Sequence, residues 1–306
     1  MKRDFTRLLD ITEEECASLL DRTLFMKQVR KARGVYKPLK DRTLAMIFEK
    51  ASTRTRISFE VGMEELGGHA LFLSPTETQM GRGEPVRDTA RVLARYVDAI
   101  MIRTFAQETV EELARWASVP VINGLSDLYH PCQILADLFT AREFKGELEG
   151  LRMAYVGDGN NMANSWVEAS LLFGFSLAVA SPPGYGPHEE LLCKAREKGT
   201  ATLFADPLEA VRGADVVNTD VWISMGREKE KEERKKAFAS FQVDEGLLRA
   251  AKPDAIVMHC LPAHRGQEIT DDVFERFHHV IFTEAENRLH AQKALLEWLL
   301  TEEIHG

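Results

Sequence analysis

Apolar and polar positions follow two rhythms along this chain. Short apolar runs, many of them rich in β-branched residues, recur at 43–48 (TLAMIF), 69–74, 99–105, 120–124, 152–157, 176–181, 200–205, 215–222, 255–262 and 279–285, and each reads as a strand. Between most of them, segments such as 53–66, 86–97, 131–144, 162–173 and 187–198 carry the helical period of about 3.6 residues. Strands alternating with helices predict an α/β fold, with parallel sheets flanked by helices on both faces. Ten strands are many for one sheet, so two such domains are expected. The polar, glycine-bearing stretch 143–150 (EFKGELEG) stands just before a new strand and sets the expected boundary, giving domains 1–147 and 148–287. The tail 287–303 reads as a helix.

Length agrees with two domains, since 306 residues exceed the roughly 150 of one typical core. With 44% apolar and 28% charged residues, the composition is that of an ordinary globular protein. The formal net charge of −9 is the wrong sign for a nucleic-acid binder. A basic cluster on this background suits one small anion. Cys16, Cys132, Cys193 and Cys260 are widely spaced, with no CxxC pair. This excludes a zinc ribbon and favours a reducing, cytoplasmic setting over a disulfide scaffold. No secretory h-region is visible in MKRDFTRLLDITEEE, and the apolar patch 171–180 is far short of the roughly 20 residues that span a bilayer. No membrane role is expected, and the charge run 227–236 reads as a solvated loop or helix face, or as a lid.

The run 43–48 ends directly in Glu49-Lys50-Ala51-Ser52-Thr53-Arg54-Thr55-Arg56. Ser52 follows a strand and precedes the helical pattern Ile57, Val61, Leu66. The unpaired N–H groups of a helix start, hydroxyls from Ser52, Thr53 and Thr55, and the Arg54 fork together suit a phosphate. Arg54 and Arg56 lie roughly 200° apart around a helix, so Arg54 is assigned to the ligand and Arg56 to a neighbouring carboxylate. The competing reading is a plain N-cap with two surface arginines. Arg103 ends another apolar run, where ligands of open α/β sheets bind. His130-Pro131-Cys132-Gln133 likewise opens a helix after a strand, with Pro131 suited to the first turn. There His130 and Gln133 can address a carbonyl and an amide.

These segments together resemble the carbamoyl-phosphate site of the aspartate/ornithine carbamoyltransferase family. The resemblance implies that Ser52, Thr53, Arg54, Thr55 and Arg103 hold the phosphate and that His130, Pro131, Cys132 and Gln133 address the carbamoyl group. It assigns Gln79, in TQMGRGEP (78–85), to a loop over the ligand. It assigns Arg288 to the same site from a C-terminal helix, 288–306, that returns toward the first domain. Closure of the two domains would then assemble the site.

The second half should hold the acceptor. GDGNNMANSW (157–166) superficially suggests a dinucleotide fingerprint, but Met162 stands where the third glycine belongs, which disfavours an oxidoreductase. A turn with Asn160 and Asn161 at a helix start fits an amino acid instead. Asp220, in TDVWISMG (219–226), can pair with an ammonium and would repel a dicarboxylate. TDVWISMG and HCLP (259–262) resemble the segments of the ornithine-using branch of the family. That implies contacts to ornithine from Asn161, Asp220, Ser224 and Met225, with Cys260 and the Leu261 carbonyl near the reacting amine. His259 and Cys260 are adjacent, so on a strand they face opposite ways and do not chelate one metal.

The expected chemistry is carbamoyl transfer from carbamoyl phosphate to the side-chain amine of L-ornithine. Arg54, Arg103, His130, Asp220 and Cys260 are the catalytic candidates, and no metal or cofactor is required. Aspartate, putrescine and N-acetylornithine are the alternative acceptors, and a non-catalytic phosphate-binding protein is a further alternative. The resemblance also implies a homotrimer or an assembly of trimers, and arginine biosynthesis as the setting.

Overall fold

The computed structural model describes residues 2–74, 80, 83–223 and 230–301. Gln79, Ser224 and Met225 lie outside the described residues. The chain divides into two compact units, Met1–Ala136 with Asn287–Gly306, and Asp137–Glu286. No described helix is long and apolar enough to cross a membrane.

In the first unit the order is α1 (Glu13–Lys31), β1 (Thr43–Phe48), α2 (Thr53–Glu65), β2 (His69–Leu73), α3 (Val86–Leu93), β3 (Ala99–Arg103), α4 (Gln107–Trp116), β4 (Val121–Leu125) and the start of α5 (Pro131–Lys145). A capping box starts α1: the Glu15 N–H donates to Thr12 Oγ1 (3.2 Å), and the Thr12 N–H donates to the Glu15 carboxylate (3.0 Å). The four strands are parallel in the order β2-β1-β3-β4. β1 and β3 are central and almost wholly buried, while β2 has the mixed exposure of an edge. On one face, Ile47, Ile100, Ile102, Val110 and Leu113 form a continuous apolar cluster. Because β1, β3 and β4 are adjacent and parallel, their carboxyl ends open side by side; Arg103 ends β3, and the 52–55 turn and His130 follow the ends of β1 and β4.

The second unit runs through β5 (Arg152–Val156), α6 (Asn161–Phe173), β6 (Ser176–Ala180), α7 (Glu189–Glu197), β7 (Ala201–Phe204), α8 (Pro207–Val211), β8 (Val216–Thr219), α9 (Lys231–Phe238), α10 (Glu245–Leu248), β9 (Ile256–His259) and α11 (Asp271–Leu300). Its five strands are parallel, in the order β7-β6-β5-β8-β9. Strand order reverses between β5 and β8, and such a switch point is where open α/β sheets bind ligands. Gly159 belongs to backbone packing here. A Cβ on it would lie 2.0 Å from the Gly186 carbonyl carbon, and its N–H donates to the Tyr185 carbonyl (2.7 Å).

One expected strand is absent. Residues 279–285 lie inside α11, whose last turns belong to the first unit. Val273, Phe277, Val280, Ile281, Glu284 and Arg288 are buried while Phe282 is exposed, which is helical and not alternating periodicity. The described chain therefore has nine strands.

Candidate active site

In the first unit, Ser52 is the N-cap of α2 and accepts from the Thr55 N–H (3.2 Å). Capping and anion binding use different donors of the same turn, so the cap does not exclude a ligand there. Thr55 is buried, and Arg288 Nη2 donates to its hydroxyl (2.8 Å). This contact brings the C-terminal helix to the turn. Arg56 points to a different task, donating to Glu60 (3.1 Å) and lying 3.9 Å over the Phe72 ring. Arg54 is half-buried and makes no ion pair among the described residues. Lys50, by contrast, is occupied, with its ammonium on Asp127 and 4.1 Å from the Phe105 ring centroid.

Arg103 is buried at the end of β3, where the register against β4 shifts. Pro131 is the first residue of α5, as its fixed φ favours. His130 and Gln133 are buried beside it. Burial, and then the positive charges of Arg288, Arg103 and Arg54, hold the His130 imidazole well below its ordinary pKa. A neutral imidazole amid three guanidiniums can donate a hydrogen bond to a carbonyl without adding charge. Cys132 is buried, its thiol donates to the Asn123 carbonyl (3.3 Å), and burial pushes it up to about 12.

In the second unit, Asn160 caps α6 by accepting from the Met162 (2.9 Å) and Ala163 (3.3 Å) N–H groups. Tyr155 Oη donates to the same oxygen (3.1 Å). The Asn160 amide nitrogen donates to Asp220 Oδ2 (2.8 Å). Asp220 Oδ1 accepts from the Cys260 thiol (3.1 Å) and the Val221 N–H (2.8 Å). A carboxylate has about four lone-pair sites. These contacts use three and leave one on Oδ2. Burial first, and Asp220 next, push the Cys260 thiol well above its ordinary value, so it acts as an S–H donor and not as a thiolate.

Two expectations change. β8 and β9 end at Thr219 and His259, so Asp220 and Cys260 lie beyond the strands. Strand alternation therefore does not separate His259 from Cys260. The ligand atoms of Asp220, His259 and Cys260 fall within 4.8 Å of one another. The Leu261 N–H donates to His259 Nδ1 (2.9 Å), and His259 Nε2 faces Glu268 (3.2 Å). The His259 ring nitrogens are engaged by Leu261 and Glu268 while the Cys260 thiol donates to Asp220, so hydrogen bonds hold each member of the trio. Leu261 turns the chain at φ 59°, before a cis peptide to Pro262.

The second change concerns 227–236. Within this charge run Arg234 is 1% exposed. It pairs with Asp158 (2.9 Å) and Glu230 (2.8 Å) and donates to the Trp222 carbonyl (2.8 Å). It thereby joins the β5–α6 turn to the segment after Asp220. Its spacing of four from Glu230 was the available signal. Asn161 opens α6 beside its cap and is half-buried.

A family model described as the aspartate/ornithine carbamoyltransferase carbamoyl-P binding domain matches residues 3–143, and one described as the Asp/Orn binding domain matches 149–299. The chain is 58% identical over 302 residues to an ornithine carbamoyltransferase of Pelobacter propionicus, covering 98% of this chain and 99% of that one. It is 56% identical over 301 residues to one from Methanoculleus marisnigri, covering 98% and 97%. The solved ornithine carbamoyltransferase of Pyrococcus furiosus superposes with a TM-score of 0.94 at 51% identity, covering 98% and 97%. Two family models that together cover nearly the whole chain, and relatives at more than half identity along its length, agree with the chemistry at the strand ends: the chain belongs to the aspartate/ornithine carbamoyltransferase family.

Proposed function

We propose that the protein transfers the carbamoyl group of carbamoyl phosphate to the side-chain amine of L-ornithine, giving L-citrulline and phosphate. The observation that carries the choice of acceptor is Asp220, a buried carboxylate held by Asn160 and Cys260 with one acceptor position left. An ammonium or amine satisfies that position, and a substrate carboxylate does not. Arg54, Arg103, Arg288 and the 52–55 turn bind the phosphate. Arg103, Thr55 and His130 polarise the carbamoyl oxygen, and Gln133 orients its NH₂, with Gln79 assigned to the loop over the ligand. Asn161, Ser224 and Met225 hold the amino-acid end of ornithine, and the Leu261 carbonyl receives the amine.

The amine attacks the carbamoyl carbon, the C–N bond forms and the C–O bond to phosphate breaks. The amine proton leaves with the phosphate. Fixed donors at the carbamoyl oxygen stabilise the negative charge of the tetrahedral intermediate. Asp220 and the Cys260 S–H act on the amine, which with a free pKa of about 10.4 must be delivered unprotonated. The two ligand-binding domains are 1–147 with 288–306, and 148–287. A homotrimer, the cytoplasm and arginine biosynthesis complete this reading. Citrulline formation with purified protein and carbamoyl phosphate, run beside aspartate, putrescine and N-acetylornithine, tests it. Turnover with ornithine alone is expected. Turnover with aspartate would overturn the role given to Asp220, turnover with putrescine or N-acetylornithine would overturn ornithine as the acceptor, and no turnover with any would overturn the whole reading.

A further inference from the structure

A second cationic recess lies in the first unit, away from the 52–55 turn. It has a volume of about 220 Å³ and is lined by Arg30, Arg33, Lys37, Glu65 and Lys293, with Val29 and Tyr36 on its apolar side. That is room for several waters, and hence for an anion with several oxygens. The floor is built. The Lys293 side chain is 4% exposed, and its ammonium donates to Glu65 (2.8 Å), which also pairs with Arg30. Gly62 lets the Lys293 stem cross α2, since a Cβ there would meet Lys293 Cγ at 3.3 Å. Burial, and then Arg30, hold Lys293 down to about 8, with Glu297 pulling the other way. Arg33 and Lys37 are exposed on the rim and have no ion pair among the described residues. Among the residues that line the recess, four cations thus stand against one carboxylate, with Glu297 behind Lys293 and Tyr36, in a protein of net charge −9.

Arg33 is also held against its backbone preference. The Gly34 N–H donates to the Val29 carbonyl and the Arg33 N–H to the Arg30 carbonyl (2.9 and 3.0 Å), a Schellman end to α1. This puts Arg33, at φ 53°, in the left-handed position that glycine normally fills. A strained arginine whose side chain lines a charged recess is the pattern of a binding group.

We infer that this recess is a second anion site, taking a small phosphorylated compound with at least two negative charges. Guanidinium forks and ammonium groups recognise such oxyanions. The site shares its helices with the proposed carbamoyl-phosphate site. Glu65 ends the helix that Thr53 begins, and Lys293 stands five residues, about 7.5 Å, along α11 from Arg288.

The test is calorimetric titration with pyrophosphate on an Arg54→Ala background, which disables the proposed first site. One pyrophosphate per chain is expected, with affinity falling as salt rises. Arg33→Gly should weaken it at least tenfold while leaving Tm unchanged or higher, because glycine relieves the left-handed strain. Lys37→Ala should weaken it too. No binding on the Arg54→Ala background, or undiminished binding by Arg33→Gly, would overturn the inference. Should Arg54 not belong to an anion site at all, Arg54→Ala would leave the pyrophosphate stoichiometry of the otherwise unaltered protein unchanged. That separates the two failures.

Discussion

Replacing Asp220 by asparagine changes one atom in a cluster whose hydrogen bonds are all assigned. The carboxylate accepts from Asn160, Cys260 and Val221. Asn160 cannot flip to suit the new amide, because its oxygen holds two helix N–H groups and the Tyr155 hydroxyl. If the new amide oxygen keeps Cys260 and Val221, its NH₂ faces the Asn160 NH₂, and one contact is lost. An unsatisfied buried pair costs about 1–3 kcal/mol of stability, and each 1 kcal/mol lowers Tm by about 2–4 °C at this domain size. Catalysis loses more selectively, because the remaining acceptor position becomes a donor of no charge. A charge-assisted contact in a buried site is worth about 2–3 kcal/mol, so kcat/KM for ornithine is expected to fall about 30- to 150-fold. KM for carbamoyl phosphate should change less than about threefold. Steady-state citrulline assays varying each substrate measure both. An Asp220→Asn enzyme within threefold of the parent for ornithine, or one equally impaired for both substrates, would refute the assignment.

Further outcomes follow from the other groups. Arg288→Met should raise KM for carbamoyl phosphate by about tenfold or more, since it removes a buried guanidinium from the Thr55 hydroxyl. It should also let the His130 pKa rise, which NMR titration reads. His130 is held below its unfolded value of about 6.5. The unfolded chain therefore takes a proton below that pH that the native chain refuses, and stability falls as pH drops from 7 to 5. His130→Gln should reduce that slope by up to one proton in denaturant titrations, and an unchanged slope would remove the assignment. Iodoacetamide at pH 8 should alkylate exposed Cys193 and spare buried Cys16, Cys132 and Cys260, as peptide mass spectrometry would show. Thr12→Ala should cost about 1 kcal/mol through loss of the α1 cap, measured by denaturant midpoint.

The central strands were legible because burial on both faces makes them continuous apolar runs that stop at turn residues, as TLAMIF does at Glu49. The positions of the candidate residues were legible for the same reason: Arg103 ends, and Ser52 and His130 follow, runs that sequence alone delimits. The segment 279–285 was not, because Val280, Ile281, Phe282 and Thr283 look like a strand in a short window. Only the spacing from Val273 to Ala291 shows the helix. Arg234 was hidden by averaging, since nine charged neighbours in REKEKEERKK (227–236) set the reading for the tenth. The His259–Cys260 geometry depended on where β9 stops, and a one-residue boundary decides which way a side chain points. The recess around Lys293 draws on three distant segments, which no local pattern joins.

Asn160 ties the start of α6 to the acid proposed to select the acceptor. Its oxygen serves the helix and its nitrogen serves Asp220. A lineage drifting toward a different acceptor by replacing Asp220 would strand that nitrogen. Replacing Asn160 to accommodate the change would uncap the helix. Each single step loses stability before any new activity is gained, so the route to a new acceptor needs paired substitutions or a stability reserve accumulated beforehand. Acceptor choice in this fold is therefore expected to be conservative in evolution, and a redesign aimed at another amine should change positions 160 and 220 together.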